Sequence, residues 1–178
     1  MMTAYKEYGR ALFLLCEESA TTEGVKEDVS TVCRVFSEFP EYIKLLDTPR
    51  LQKQEKLSLI DEAFSSLDLN LKNLIKILSE RHLVHSFTHI AREYNALYDE
   101  SRGIERVEAI TAIPMTDEQL AKLKDKLSSM TGKRIIIKNT INPEILGGVT
   151  LRYSGTQIDG SVKTRLDKFG KTLKNTVI

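Results

Sequence analysis

The three histidines of the chain, His82, His85 and His89, suggest metal chemistry because, together with Glu93, they recur every three or four positions. On one helix this spacing would bring imidazole and carboxylate groups, both common zinc ligands, to the same side. On a helical wheel, however, His85, His89 and Glu93 lie away from the apolar stripe and are expected to face solvent. A metal centre needs ligands that converge in a partly enclosed pocket, so the pattern favours a solvated polar face over a metal site.

The paired glycines Gly147 and Gly148 raise the question of a phosphate-binding loop. Such a loop places its glycines between a strand and a helix whose N-terminus points at the phosphate. Here the glycines lead into a predicted strand, and no Lys-Ser or Lys-Thr pair follows them. The pattern favours a bulge or a close approach of two backbone segments.

Nucleophilic catalysis has no evident starting residue. No serine lies in a nucleophile-elbow setting, and neither Cys16 nor Cys33 has a histidine near it in the sequence, although a partner distant in sequence stays open. Both cysteines occupy apolar helical positions, which is typical of buried thiols. The sequence therefore favours a protein that is not an enzyme and that holds no cofactor or metal, with a metal-dependent enzyme as the competing class.

Charge and glycine divide the chain near Gly103. The net charge is +1, but residues 1–102 hold 13 basic and 17 acidic residues, giving −4, while residues 103–178 hold 13 and 8, giving +5. Only two of the nine glycines precede residue 103. We therefore expect one domain over residues 1–103 and another over residues 104–178. No run approaches the roughly 18 to 20 apolar residues of a membrane span, and the first residues lack a targeting pattern, so a cytoplasmic location is expected.

The elements expected in the first domain are six helices with short connections. Apolar residues recur at spacings of three and four, and breaks are expected near Thr21 to Gly24, at Pro40 and at Thr48-Pro49. Asp68 is expected to cap the fifth helix. The stripes of the second, fifth and sixth helices are Val25, Val29, Val32, Phe36 and Phe39; Leu71, Leu74, Ile75 and Leu78; and Val84, Phe87, Ala91, Tyr94 and Tyr98. This pattern predicts a six-helix bundle.

The second domain begins with a change from helical to alternating periodicity. Val107, Ala109, Thr111 and Ile113 are expected on one face of a strand that Pro114 stops. Thr116 is expected to cap a helix, and further strands are expected at 134–138, 149–153 and 157–158, the last two joined by a tight turn at Ser154-Gly155. A basic helix is expected after Ser161. The fold class is therefore mainly α, with the helical bundle followed by a small α+β domain.

The first helix carries more apolar surface than one buried side requires. Its apolar arc covers about 200°, whereas a surface helix needs little more than about 100°. Either the helix is central and buried on two sides, or one stripe packs inward and a neighbouring stripe lines a groove for a partner's amphipathic helix. The fifth helix, with an apolar arc of about 160°, is a candidate for the other wall.

The basic last helix has three open interpretations. It is a solvated face, a contact for an acidic or helical protein, or a nucleic-acid footprint. Aromatic residues for base stacking are sparse in this domain. An RNA-binding helical module with a basic C-terminal domain is therefore kept as an alternative to a protein-binding function.

Three segments carry a resemblance to a known family. Residues 8–13 (YGRALF), residues 73–82 (NLIKILSERH), and residues 142–149 (NPEILGGV) with 158–162 (IDGSV) resemble the delta subunit of F-type ATP synthases. The mitochondrial counterpart confers oligomycin sensitivity. The resemblance spans essentially the whole chain in order, and its most specific part is the structural motif formed by Gly147, Gly148, Asp159, Gly160 and Ser161.

The resemblance implies a non-catalytic stator subunit. It would link the catalytic head to the peripheral stalk, at the cytoplasmic face of the bacterial cell membrane, so that a proton or sodium gradient can drive ATP synthesis. The first domain would bind N-terminal helices of alpha subunits, and the second the b subunit. Membrane attachment would be indirect, through the complex, and no nucleic acid is implied. The implied alpha-subunit groove is formed by Tyr8, Ala11, Leu12 and Leu15 from the first helix and by Leu74, Ile77 and Leu78 from the fifth. The implied contacts to the b subunit are Lys163 and Arg165.

Overall fold

The computed structural model describes residues 2–145, 147–153 and 156–160, with side chains from residue 5 onward. The chain divides into two compact units, residues 1–99 and residues 100–178. The sequence placed the boundary a few residues later, after Gly103. Ser161 and the predicted basic helix, with Lys163 and Arg165, lie outside the described residues, as does the predicted turn at Ser154-Gly155.

Helices form the N-terminal unit. Six α-helices lie among its described residues, and a short 3₁₀ helix, Val84–Ser86, precedes the last of them. Their bounds are α1 Met2–Glu18, α2 Thr22–Glu38, α3 Pro40–Asp47, α4 Lys53–Ala63, α5 Leu69–Glu80 and α6 Phe87–Ser101.

Local chemistry explains most of the helix ends. Pro40 occupies the first turn of α3, where its missing N–H costs no hydrogen bond. The side chain of Asp68 accepts a hydrogen bond from the Asn70 amide, so the predicted cap of α5 is confirmed. The break expected near Thr21 to Gly24 is met at Thr21, which precedes α2, while Gly24 lies inside that helix; the chain turns at Ala20, whose φ is 54°.

The core of this unit consists of the apolar stripes that the sequence predicted. Every predicted residue of the α5 and α6 stripes is buried, and so are the first four of the α2 stripe. The ring of Phe36 packs edge-on against those of Phe64 and Phe87, with centroids 6.0 and 5.4 Å apart. The prediction for Phe39 is wrong: this residue follows the last turn of α2, and its ring is exposed.

A four-stranded sheet and one helix form the described part of the C-terminal unit. The elements are β1 Ile104–Thr111, α7 Asp117–Thr131, β2 Arg134–Ile141, β3 Val149–Tyr153 and β4 Thr156–Asp159. The strand order is β2-β1-β3-β4, with β1 and β2 parallel and the other pairs antiparallel. The mainly helical fold with a small sheet is therefore confirmed.

One face of this sheet carries the core. Val107, Ala109, Ile135 and Leu151 are buried, and Leu123 and Leu127 of α7 pack against them. Thr116 and Gln119 form a capping box at the start of α7, as expected for a threonine at this position.

The inward placement predicted for Ile113 is wrong. β1 ends at Thr111, whose hydroxyl donates a hydrogen bond to the Ile113 carbonyl at 2.7 Å. The chain turns there, before Pro114, and the Ile113 side chain is left exposed.

Candidate functional site

The surface of α1 carries exposed apolar residues beside its buried stripe. Leu12, Phe13 and Cys16 are buried, whereas Leu15 is 49% exposed and Ala11 is exposed. Tyr8 is half-buried. The interpretation that buries α1 on two sides is therefore wrong, and the helix presents an apolar stripe to its surroundings.

A similar division occurs on α5, which packs against α1. Leu74 and Leu78 are buried, at 7% and 0% exposure, while Ile77 is 45% exposed. Buried Leu12, Leu74 and Leu78 are therefore core residues of the helical unit. The α1–α5 face, defined here by Tyr8, Ala11, Leu15 and Ile77, is what remains accessible.

Contacts with α6 fix α1 in place. A Cβ atom added to Gly9 would lie 2.7 Å from Glu93 Cβ and 2.9 Å from the Ile90 carbonyl oxygen, so the two helices approach closely at this glycine. The Phe13 ring packs edge-on against Tyr94, with centroids 5.9 Å apart. These contacts turn the other side of α1, with Ala11 and Leu15, outward.

Sequence reasoning missed Leu14, which is 47% exposed. On a helical wheel it lies outside the apolar arc, about 60° beyond Ala11. Its position on the wheel could have indicated this exposure, because a leucine far from the buried stripe must meet solvent or a partner.

The histidines lie on three different segments and form no joint site. His82 follows α5 with a left-handed φ of 56°, His85 belongs to the 3₁₀ helix and His89 to α6. All three are exposed, as predicted for His85 and His89. Glu93, also predicted to face solvent, is half-buried and lies close to Gly9 of α1. The Asp47 carboxylate accepts hydrogen bonds from the amides of Val84 and His85 and from His85 Nδ1, at 2.8, 3.1 and 2.7 Å. Within the described residues, no group of His, Cys, Asp and Glu is arranged to hold a metal ion.

The glycine motif closes one end of the β3–β4 hairpin. Gly148, with a φ of 88°, leads into β3, as predicted, and this conformation favours glycine. At the same end, just after β4, the Gly160 amide donates a hydrogen bond to the Val149 carbonyl at 3.0 Å. A Cβ atom on Gly160 would lie 2.9 Å from that same oxygen. Gly160 therefore permits a close approach of two backbone segments at this end of the hairpin. The bulge or close approach expected at Gly147 and Gly148 stays a prediction.

Ionisable groups in the helical core are held in their neutral forms. Burial raises the pKa of the Cys16 and Cys33 thiols, which is the opposite of what a reactive cysteine requires. Burial, together with nearby Glu62, raises the pKa of Tyr42 to about 12. Burial also raises the pKa of Tyr94, whose hydroxyl donates a hydrogen bond to the Thr22 carbonyl at 2.8 Å. These groups serve the packing and hydrogen bonding of the core.

The fold and this face define a class: a helical unit with an accessible two-helix apolar face, in one chain with a small α+β unit. Residues 4–173 match the family described as ATP synthase delta (OSCP) subunit. The chain therefore belongs to the ATP synthase delta (OSCP) subunit family.

Individual relatives agree with this membership, and a solved structure shares the fold. The ATP synthase subunit delta of Geobacillus sp. (strain WCH70) is 31% identical over 169 residues, covering 94% of this chain and 95% of the relative. That of Clostridioides difficile (strain 630) is 33% identical over 172 residues, covering 96% and 95%. A chain in the cryo-EM structure of the Toxoplasma gondii mitochondrial ATP synthase hexamer has the same fold, with a TM-score of 0.73 and 22% identity, covering 95% of this chain and 96% of that one. Among the described residues, no helix is long and apolar enough to cross a membrane.

Proposed function

We propose that this protein is a non-catalytic stator subunit that links the catalytic head of an F-type ATP synthase to its peripheral stalk. Membership of the delta (OSCP) family supports this function over the alternative of an RNA-binding module. The stator holds the head against the torque of rotation, so that a transmembrane proton or sodium gradient drives ATP synthesis. The protein would lie at the cytoplasmic face of the bacterial cell membrane and attach to it only through the complex.

The proposed head contact is the α1–α5 face, with the six helices acting as a bundle that presents it. The observation that carries this proposal is the pair Leu15 and Ile77, two large aliphatic side chains about half exposed on helices that pack against each other. Exposed Ala11, one turn before Leu15 on α1, adds little bulk to this face, which leaves room for a helix to approach. An amphipathic helix docks into such a surface by placing residues at i, i+3, i+4 and i+7 between the two walls. The proposed occupant is the N-terminal helix of an alpha subunit.

Burial assigns different roles to the seven residues proposed for this contact. Tyr8, Ala11, Leu15 and Ile77 would meet the alpha-subunit helix directly. Leu12, Leu74 and Leu78 would form the floor of this contact, since their side chains are already buried in the core. Substitutions of the first set should weaken binding, whereas substitutions of the second set should first destabilise the protein.

The proposed stalk contact is the C-terminal unit, which would meet the b subunit. Its excess of basic residues suits an acidic partner, because complementary charge speeds encounter and fixes orientation. Lys163 and Arg165 remain the proposed contacts, and they lie outside the described residues.

The head contact is tested by calorimetric titration of the full chain with a synthetic peptide of an alpha-subunit N-terminus. Leu15→Asp and Ile77→Asp should each weaken binding by roughly tenfold or more, because a buried hot-spot side chain is replaced by a charge. Leu69→Asp is the matched control: Leu69 is also on α5 and 65% exposed, but it lies on another side of the helix, in its first turn. The assignment of this face is wrong if the parent chain does not bind the peptide, or if Leu69→Asp weakens binding as much as Ile77→Asp.

A further inference from the structure

The outer edge of β2 is an unpaired strand edge of eight residues. The sheet order places β2 at one end, with β1 as its partner. Within the described residues, no other strand pairs with it. At the opposite end of the sheet, β4 has four residues. β2 therefore offers the longer of the two sheet edges.

The hydrogen bonds at the ends of β2 reveal which backbone groups point outward. The amide of Arg134 donates to the Gly103 carbonyl, and that of Asn142 donates to the Thr111 carbonyl. In a parallel ladder, alternate residues of a strand turn both backbone groups toward the same neighbour. Even-numbered residues of β2 therefore bond to β1. The amides and carbonyls that point away from β1 belong to Ile135, Ile137, Asn139 and Ile141.

A hollow lies beside this edge, between β2 and α7. Its volume is about 290 Å³, and residues 134–137 line it on the strand side. Leu120, Ala121 and Lys124 line it on the helix side. The exposed, small side chain of Ala121 leaves space for the side chains of an added strand. An unpaired edge beside a helix-walled hollow is the arrangement that binds peptides by strand addition.

The side chains around the outer edge of β2 are basic, which favours an acidic added strand. Exposed Lys124 faces the hollow from α7, and exposed Arg134 and Lys138 belong to β2 itself. None of the three forms an ion pair with another described residue. Ile136, which is 36% exposed, lies between the two cations on the same face of β2. A second copy of this strand would bring like charges together, which disfavours a β2–β2 dimer.

We propose that the outer edge of β2 binds an extended acidic segment of a partner protein as an added fifth strand. The segment's backbone pairs with the outward groups of Ile135, Ile137 and Asn139. On one face, its acidic side chains lie opposite Arg134 and Lys138, with an apolar residue against Ile136. On the other face, an acidic residue meets Lys124 and a small apolar residue enters the hollow. This site is independent of the α1–α5 face, and neither assignment depends on the other.

The test uses the full chain and a blocked twelve-residue peptide that repeats Glu-Glu-Val-Val, so that glutamate and valine alternate along each face of the added strand. Hydrogen exchange measured by NMR on the saturated complex should show the amides of Ile135, Ile137 and Asn139 exchanging at least tenfold more slowly. Those of Ile136 and Lys138, which already bond to β1, should not change. Two control peptides, one with lysine in place of glutamate and one with prolines at two central positions, should give no protection.

Charge reversal supplies the matched variants. Lys124→Glu should weaken peptide binding by about fivefold, the effect of turning one favourable exposed ion pair into a repulsive one. Lys126→Glu makes the same change on another side of α7 and should leave binding unchanged. The proposal is overturned if the odd-numbered amides of β2 gain no protection, if the proline peptide protects them equally, or if both lysine variants bind alike. It is also overturned if these amides are already protected without peptide in a concentration-dependent dimer.

Discussion

Gly9 and Gly24 both lie within helices of the N-terminal unit, but a methyl group would be crowded at Gly9 and unhindered at Gly24. A Cβ atom at Gly9 would come 2.7 Å from Glu93 Cβ and 2.9 Å from the backbone oxygen of Ile90, whereas a Cβ atom at Gly24 would have no neighbour within 4 Å. Ordinary contacts of this kind are 3.4–4 Å long, so Gly9→Ala must push α1 away from α6.

The two substitutions should therefore change stability in opposite directions. Overpacking of this kind lowers the free energy of unfolding by about 1–3 kcal/mol, whereas replacing a helical glycine by alanine raises it by about 0.5–1 kcal/mol. Gly9→Ala should lower the free energy of unfolding by about 1–2 kcal/mol net. Gly24→Ala should raise it by about 0.5 kcal/mol, because it lies in the first turn of α2, where helix propensity counts less.

Urea denaturation followed by tyrosine fluorescence and circular dichroism measures both changes. The chain has no tryptophan and six tyrosines, of which Tyr153 alone belongs to the C-terminal unit, so the fluorescence reports mainly on the helical unit. A Gly9→Ala protein as stable as the parent would refute the close approach of α1 to α6. A loss of stability in Gly24→Ala would refute the explanation by local space.

Three further predictions concern the helical unit. The raised pKa of Tyr42 favours its neutral form in the folded state, so the free energy of unfolding should be constant below about pH 10 and fall between pH 10 and 12. In urea titrations, Tyr42→Phe should reduce this fall. The same variant should lower the free energy of unfolding by about 1 kcal/mol at neutral pH, because the hydrogen bond from the Tyr42 hydroxyl is lost. Asp47→Ala should lower the unfolding free energy by about 1–3 kcal/mol, because two backbone amides and His85 lose their acceptor, whereas an unchanged value would mean that water replaces the carboxylate. With Ellman's reagent under native conditions, half-buried Cys33 should react before fully buried Cys16, and the reverse order would contradict the packing of α1.

Periodicity predicted the helices well because each buries one side. The stripe from Leu71 to Leu78 and the cap at Asp68 follow from spacing and from one side chain, so the sequence suffices for α5. The sequence did not indicate Ala20 as the turn residue between α1 and α2, because its left-handed backbone is adopted by a residue with no preference for it. Tertiary packing imposes that conformation, and a single sequence does not display it.

The sequence predicted that α1 has a second apolar surface, but it did not predict which residues of α1 are exposed there. The wide apolar arc of α1 indicated a second surface, and Leu15 is indeed exposed. The same arc could not separate Leu12 from Leu15, which lie about 60° apart on the wheel. Only the position of α5 makes the first a core residue. The pairing of β2 with β1, which leaves the outer edge unpaired, also required the sheet topology.

The central proposal, that the α1–α5 face ties this chain to the catalytic head, is tested most directly by native mass spectrometry with the assembled hexamer. The parent chain and Leu69→Asp should each give a complex with one copy per hexamer. The Leu15→Asp/Ile77→Asp double variant should leave the hexamer free at the same concentration while remaining folded by circular dichroism. A folded double variant that still binds one copy per hexamer would contradict the account.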